Sequence, residues 1–199
     1  MSRIFGVALA IAIALPMTIA PQAASAHRLM PAGEAASVAR SGMSVTPTIQ
    51  WNKISQRPGD KAERWTLDGE LLNDVIFFGG IEDGTPLLRE VSRRENPLPH
   101  FSSTMLPTDI APLLESTLRI TQNIVNFDVS SVAPATFLGA TGVQFEYRML
   151  GADDITRQGR AVASIIGGKL YMITYDAPAE YFYARNLADV ERIVASATL

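Results

Sequence analysis

Apolar and polar side chains alternate without interruption in VQFEYRM, residues 143–149. Val143, Phe145, Tyr147 and Met149 would share one face of an extended chain, because successive side chains of a strand point to opposite sides. The alternation therefore predicts a β-strand with one buried face and one solvated face. The neighbouring segments can be placed relative to this strand.

Two more strands are predicted directly after it, at residues 160–166 and 170–175. The GGK link at 167–169 suits a tight turn, because glycine adopts positive φ without strain. The three strands together predict an antiparallel meander. Residues 187–197 place apolar side chains at helical spacing, which predicts a last helix that is capped by Asn186 and packs on the meander.

The first half of the chain contains fewer regular patterns. Residues 71–81 are almost continuously apolar, which predicts a strand covered on both faces. A turn after this strand predicts a hairpin with residues 86–91, and a helix is predicted near 109–121. Strands and helices do not alternate as they do in βαβ units. The predicted fold class is therefore α+β, with an antiparallel sheet and a C-terminal meander flanked by helices.

The order of these elements resembles the C-terminal half of PsbP-like proteins and their bacterial secreted relatives. The resemblance lies in the stretches GVQFEY (142–147), 160–166, GKLY (168–171) and YFY (181–183), and in a last helix ending near Ser196. It covers about residues 142–197 and extends more loosely back to Ser44. It implies a small α/β/α sandwich and a non-catalytic accessory or binding role, because members of that group assist larger assemblies. It implies no particular site residues.

The N-terminus has the pattern of a secretory signal peptide. Arg3 precedes an apolar run at residues 4–15, Pro16 ends the run, and the small residues at 24–26 suit cleavage. A signal peptide over residues 1–26 predicts a periplasmic or secreted protein. The run is shorter than the ~20 apolar residues that a spanning helix needs. We therefore expect no transmembrane segment in the mature chain.

The remaining chain divides into an arm and one domain. Residues 27–43 contain a Pro-Ala-Gly sequence and many small residues, which predicts an N-terminal arm or tether. Residues 44–199 are predicted to form a single α+β domain. The net charge of −3 argues against a nucleic-acid partner. The absence of cysteine excludes disulfides, a thiol nucleophile and thiolate metal sites.

The catalytic inventory is small. No Gly-x-Ser-x-Gly sequence marks a nucleophile, and the two histidines are His27 and His100. A hydrolase that uses His100 with Ser102 or Ser103 is the enzymatic alternative. The favoured interpretation is an exported, non-catalytic binding or assembly accessory of the cell envelope, which needs no cofactor. Its partner would be an envelope protein or a small ligand.

An aromatic group is the predicted partner or ligand surface. It consists of Tyr171, Tyr175, Tyr181, Phe182 and Tyr183, where the last strand leaves the sheet for the final helix. Tyrosines combine flat apolar area with a polar tip, and such residues are favoured in binding surfaces. The alternative interpretation is that they seal the edge between helix and sheet.

Copper binding is an alternative function. Cleavage after Ala26 would make His27 the first residue, with its α-amine, a peptide nitrogen and its imidazole within reach of one copper ion. Copper(II) favours tetragonal nitrogen ligands, and His100 could supply another nitrogen. A metal site at His27 and His100 follows as a hypothesis.

Acidic residues are dense between Asp60 and Asp83, where seven carboxylates accompany two basic side chains. Calcium binding is one interpretation, but the Asp-x-Asp-x-Asp-Gly loop that usually supplies its oxygen ligands is absent. The carboxylates alternate with apolar residues. This pattern predicts the solvated face of a sheet.

Overall fold

The computed structural model describes residues 27–199, so the predicted signal peptide at 1–26 lies outside the described residues. The elements are β1 (Arg28–Met30), β2 (Ala36–Ser37), β3 (Ser44–Val45), β4 (Trp51–Lys53), β5 (Ala62–Thr66), β6 (Asp74–Ile81), a 3-10 turn (Pro107–Asp109), α1 (Ile110–Gln122), β7 (Asn126–Phe137), β8 (Ala140–Leu150), β9 (Thr156–Ile166), β10 (Lys169–Pro178) and α2 (Phe182–Ala195). Within this part of the chain, no helix is long and apolar enough to cross a membrane.

Eight strands form one sheet in the order β1-β4-β5-β6-β10-β9-β8-β7, and β2 pairs with β3 separately. All pairs in the large sheet are antiparallel. The predicted α+β class and the β8-β9-β10 meander are therefore confirmed. Gly167 and Gly168 make the last turn with φ of 59° and 74°, as expected for glycine. β6 is buried at every position, which confirms a strand covered on both faces.

The sheet lies between two apolar cores. One core joins α1 and the loop at 82–106 to the sheet face that carries Phe78, Phe145 and Met172. The other core joins α2 and residues 30–45 to the opposite face. Each helix presents its apolar stripe to the sheet and its polar face to solvent, as the sequence spacing predicts. The result is a sheet sandwiched between two helical layers.

Residues 27–43 are part of the fold, and the prediction of a loose arm is wrong. β1 pairs with β4 at the edge of the sheet. Val38 and Met43 are fully buried in the second core. The main-chain N–H of Ala39 donates to Glu63 Oε2 at 3.2 Å. The segment has no periodic pattern because a tight turn with positive φ at residue 39 separates its few buried side chains.

Two other local predictions are corrected. Residues 86–91 do not form the second strand of a hairpin, since Pro86 forms an isolated bridge with His100 and residues 87–91 have no strand structure. α2 begins at Phe182, one turn before the predicted cap at Asn186. Asn186 is instead buried inside the helix, and its Nδ2 donates to Asp68 Oδ2 at 3.1 Å. This hydrogen bond fastens α2 to the loop between β5 and β6.

Candidate functional site

A polar row crosses the sheet face that α1 covers. Asp74 on β6 lies opposite Asp176 on β10, and Asp176 lies opposite Gly159 on β9. Gly159 in turn lies opposite Tyr147 on β8. Residues that face each other on antiparallel strands point to the same side of the sheet. The two carboxyl groups, each on a residue that is 5% exposed, are therefore neighbours beneath α1.

Two arginines partly compensate these carboxyl groups. Arg64 on β5 places Nε 3.0 Å from Asp74 Oδ2 and Nη1 3.1 Å from Glu70 Oε2. Arg157 on β9 places Nη1 3.8 Å from Asp176 Oδ2, and it donates to a main-chain carbonyl of the β5–β6 loop. No hydrogen bond from residues 27–199 reaches Asp74 Oδ1, although this atom is buried. Within the described part of the chain, the pair therefore keeps one acceptor without a partner.

Burial dominates the protonation of this pair. It raises the pKa of Asp74 to about 8, against the opposing charge of Arg64. It raises the pKa of Asp176 to about 6, against the charges of Arg157 and Arg64. Desolvation disfavours the ionised form of a buried carboxyl group, and two neighbouring carboxyl groups also disfavour each other's charge. Asp74 and Asp176 consequently hold one proton between them near neutral pH.

The loop before β6 fixes the position of Asp74. Asn73 is fully buried, and its Oδ1 accepts hydrogen bonds from Thr66 Oγ1 at 2.8 Å and from the Leu67 N–H at 2.6 Å. Its Nδ2 donates to Asp68 Oδ2 at 2.6 Å. These bonds close the turn between β5 and β6, so that β6 starts with Asp74 directed into the polar row.

Gly159 leaves space for the ring of Tyr147. A Cβ atom on Gly159 would lie 2.1 Å from Tyr147 Cζ and 2.6 Å from its hydroxyl oxygen. The ring stacks on Phe127, with centroids 4.9 Å apart. None of the described residues forms a hydrogen bond with the buried hydroxyl. Burial, together with the charges of Asp176 and Asp74, raises the pKa of Tyr147 well above its usual value. The hydroxyl therefore lies over Gly159, one strand from Asp176.

We expect Gly159→Ala to destabilise the protein by about 2–3 kcal/mol, because the new methyl group would force the packed Tyr147 ring out of its place. Gly42→Ala is the matched control, since a Cβ there meets nothing within 4 Å, and its effect is expected to stay within about 0.5 kcal/mol. Urea unfolding measures both changes. Equal stabilities of the two variants would contradict this packing.

The polar row opens into a cavity of about 510 Å³. Its uncharged wall comes from the end of α1 and the following residues, including Gln122 and Asn123. We call this cavity the carboxyl pocket. The charged residues that line it are Arg64, Glu70, Asp74, Asp153, Arg157 and Asp176. A second cavity of about 470 Å³ shares Arg64 and Glu70 with it and adds Arg57 and Arg89. The site can therefore accommodate a small polar ligand.

The five residues of the predicted aromatic surface differ in how far they are exposed to solvent. Tyr175 and Tyr183 are stacked with centroids 5.3 Å apart and are 1% and 5% exposed. The Tyr175 hydroxyl donates to the main-chain carbonyls of Phe182 and Tyr183. These contacts join α2 to the sheet, so Tyr175 and Tyr183 are core residues. Tyr171 and Phe182 are half-buried, and Tyr181 is 60% exposed. Tyr181 alone offers most of its ring to a partner.

An apolar groove of about 340 Å³ separates α2 from β8 and β9 on the opposite side of the sheet. Tyr175, Val162 and Leu187 contribute to its walls. Arg160 lies at its rim, where its Nε donates to Glu146 Oε1 at 3.1 Å and its Nη1 pairs with Glu191. The charge at this rim is therefore already compensated.

The structure does not show His27 and His100 together in one site. His27 is exposed ahead of β1, whereas His100 lies in the loop at 82–106 with Nε2 3.7 Å from Glu90 Oε2. The Ser102 hydroxyl is hydrogen-bonded to Thr104 at 2.9 Å. Across residues 27–199, no group of three or more His, Cys, Asp and Glu side chains is arranged to hold a metal ion.

Sequence reasoning missed the carboxyl pocket. Glu63 and Asp74 belong to the acidic run interpreted as a solvated face, yet they are 1% and 5% exposed. A signal was present, because Asp74 directly precedes the apolar VIFFGGI stretch and Asp176 directly follows LYMITY. A charge at the end of a strand that is buried on both faces is typical of an enclosed ion pair or a site.

Neither a protein-family model nor a curated protein matches the chain. Among solved structures, cyanobacterial PsbP (CyanoP) from Synechocystis sp. PCC 6803 matches with a TM-score of 0.51 and 14% identity, over 92% of this chain and 97% of that chain. LpqN, involved in cell envelope biogenesis of Mycobacterium tuberculosis, matches with a TM-score of 0.34 and 12% identity, over 86% and 77%. The match to CyanoP extends the resemblance well beyond residues 142–197. The chain therefore has a PsbP-like fold.

Proposed function

We propose that this protein is exported and acts in the cell envelope as a binding accessory that catalyses no reaction itself. The carboxyl pocket is the observation that carries the proposal. It is open to solvent, yet Asp74 Oδ1, on one of its lining residues, is buried without a hydrogen-bond partner among residues 27–199. Buried polar groups in native proteins are nearly always paired, so unpaired groups at a cavity favour a ligand that would complete them.

The absence of catalysis is supported by the surroundings of His100. A serine hydrolase needs its base within hydrogen-bond reach of the nucleophile. His100 is near the acid Glu90, while the Ser102 hydroxyl is hydrogen-bonded to Thr104. The main chain of His100 also forms an isolated β-bridge with Pro86, so His100 has a structural role in the loop at 82–106.

Binding is tested with material from the envelope. The purified protein is incubated with a small-molecule extract of that fraction, separated from unbound compounds and examined by mass spectrometry. We expect a compound that is retained by the wild type and lost by Asp176→Asn. Retention of the same compounds by both proteins would place binding outside the carboxyl pocket and overturn the proposal.

Export is supported by the pattern at residues 1–26 and is tested by N-terminal sequencing of protein recovered from the envelope fraction. His27 is the expected first residue. Recovery of the full-length chain in the cytoplasm would contradict export. The same sequencing decides the copper alternative, because any other first residue removes the free α-amine that copper(II) chelation by His27 requires.

The exposed aromatic ring of Tyr181 is expected to contribute to a partner surface without contributing to stability. Tyr181→Ala should change the free energy of unfolding by no more than about 0.5 kcal/mol, since the side chain is largely exposed. Tyr183→Ala should cost about 3 kcal/mol, because its stacked ring is buried.

Chemical unfolding and quantitative partner capture from envelope extract measure the two effects separately. Val91→Ala is the control, since Val91 is also an exposed apolar residue. Capture that is reduced by Tyr181→Ala and unchanged by Val91→Ala is expected. Equal capture by wild type and Tyr181→Ala would remove Tyr181 from the partner surface.

A further inference from the structure

The charges of the carboxyl pocket do not balance when all its groups are ionised. Its carboxyl groups come from the β5–β6 loop, β6, the β8–β9 turn and β10, and they are Glu70, Asp74, Asp153 and Asp176. Its positive groups are Arg64 on β5 and Arg157 on β9. The wall from α1 is uncharged, and β8 contributes the Tyr147 phenol behind the row. Two negative charges are therefore left over.

Both arginines are already counted in this balance, and neither donates a hydrogen bond to Asp74 Oδ1. Arg64 is shared between Asp74 Oδ2 and Glu70 Oε2. Arg157 uses Nη2 to donate to the Leu71 carbonyl at 2.7 Å and approaches Asp176 only to 3.8 Å. Arg64 Nη1 and Arg157 Nη2 are thus engaged in hydrogen bonds, whereas Arg64 Nε makes none among residues 27–199, although it lies 3.0 Å from Asp74 Oδ2. Asp74 Oδ1 remains an unpaired acceptor on a residue that lines a site with surplus negative charge.

The buried hydroxyl of Tyr147 is a second unpaired polar group in the same row, although Tyr147 does not itself line the cavity. It is a neutral group that lies over Gly159 in the row that contains Asp176, and it has no hydrogen-bond partner within residues 27–199. An ordinary packed tyrosine that is 1% exposed would have a partner for its hydroxyl. The row therefore contains an unpaired acceptor and an unpaired hydroxyl that can donate or accept.

We propose that the carboxyl pocket binds the ammonium group of a small organic cation between Asp74 and Asp176. This inference rests on the proposed binding function and specifies its ligand class. An ammonium group carries three donors and one positive charge, so it offers a donor to Asp74 Oδ1 and reduces the surplus negative charge. A divalent metal ion fits less well, because the described residues form no metal-binding group of three or more ligands.

Ammonium binding is linked to release of a proton. The cation favours the ionised form of Asp74, so the proton held by the carboxyl pair passes to solvent when the ligand enters. The ligand keeps its own proton, because the pKa of an alkylammonium is about 10.4. The positive charge of the ammonium therefore replaces the positive charge of the released proton. Affinity should increase about tenfold from pH 6 to pH 7 and level off above pH 8, where Asp74 is ionised.

Isothermal titration of n-butylammonium chloride into the protein tests this inference. At each pH the titration is repeated in two buffers of different ionisation enthalpy, which counts the protons released. We expect the pH dependence given above and release of nearly one proton at pH 7. Asp74→Asn and Asp176→Asn should each weaken binding at least tenfold at pH 8. Asp60→Asn, the same change at an exposed carboxylate outside the pocket, should alter affinity less than twofold.

Two further titrations separate the possible ligands. 1-Butanol has the same alkyl chain without the charge, and Nα-acetyl-lysine amide presents the ammonium as a protein side chain would. Binding of the lysine derivative but not butylammonium would identify a partner's lysine as the source of the ammonium. Butanol binding as strong as that of butylammonium, or butylammonium binding indifferent to both aspartates, would overturn the inference. If butanol binding depends on Asp176, the proposed binding function still stands.

Discussion

Replacing Glu63 with alanine is expected to destabilise the fold by about 3–5 kcal/mol. Glu63 is 1% exposed and has four partners. Its Oε1 lies 2.8 Å from Lys53 Nζ and accepts a hydrogen bond from Trp65 Nε1 at 2.9 Å. Its Oε2 accepts from the Ala39 N–H and lies 3.5 Å from Arg57 Nη2. Truncation would leave buried donors without an acceptor, which costs more than a lost surface ion pair.

Chemical unfolding of the variant measures this loss. Glu82→Ala is the matched control, because Glu82 also makes a carboxylate–lysine pair at 2.8 Å, with Lys169, but on the exposed surface. Little change is expected there, since solvent screens such pairs. The Glu63→Ala variant should also exchange main-chain amides of residues 38–43 faster. If Glu63→Ala were as stable as Glu82→Ala, Glu63 would not anchor the N-terminal segment.

Stability is expected to fall as the pH rises from about 5 to about 8. The folded state holds protons on Asp74, with a pKa of about 8, and Asp176, with a pKa of about 6, while the unfolded chain has released them. The folded state then binds more protons than the unfolded state, so unfolding becomes easier with increasing pH. Near pH 7 the slope should be about 1.4 kcal/mol per pH unit, and it should disappear above about pH 9.

Asp74→Asn isolates the origin of this slope. The amide retains an oxygen for Arg64 and cannot ionise, so the variant should be more stable than the wild type at pH 8 and nearly independent of pH between 6 and 8. Denaturant unfolding at five pH values gives the comparison. Asp60→Asn, at an exposed carboxylate, should retain the wild-type slope. A wild-type slope in Asp74→Asn would assign the titration to another group.

The parts of the fold that sequence predicted correctly depend on local patterns. β8, β9 and β10 have short turns between them, and their alternation or apolar runs reflect burial directly. β7 was not predicted because it is an edge strand with most of its side chains exposed, so burial imposes no alternation on it. The N-terminal segment is held by distant partners, as in the main-chain hydrogen bonds between Ser44 and Thr198. Such long-range contacts leave no periodic pattern nearby.

The carboxyl pocket was beyond prediction for a related reason. Asp74 and Asp176 become neighbours only through the register of β6 against β10, two strands about a hundred residues apart in the chain. A shift of one residue would turn one carboxyl group to the other face. The residue types in the sequence indicate where a strand ends. The pairing of the strands in the folded sheet determines which strand ends become neighbours. The aromatic group was easier to locate in sequence than to interpret, because only the structure shows that the rings of Tyr175 and Tyr183 stack in the core and that the Tyr175 hydroxyl donates to main-chain carbonyls.

The position of β1 affects when the expected cleavage after Ala26 can take place. β1 begins at Arg28, so one residue separates this strand from the bond after Ala26 at which cleavage is expected. A peptidase binds an extended main chain that has no other hydrogen-bond partners. A main chain that is hydrogen-bonded in a sheet is therefore not accessible to it. Cleavage and the docking of β1 on β4 therefore compete for the same few residues. For the proposed export, cleavage after Ala26 would therefore have to precede the docking of β1 on β4.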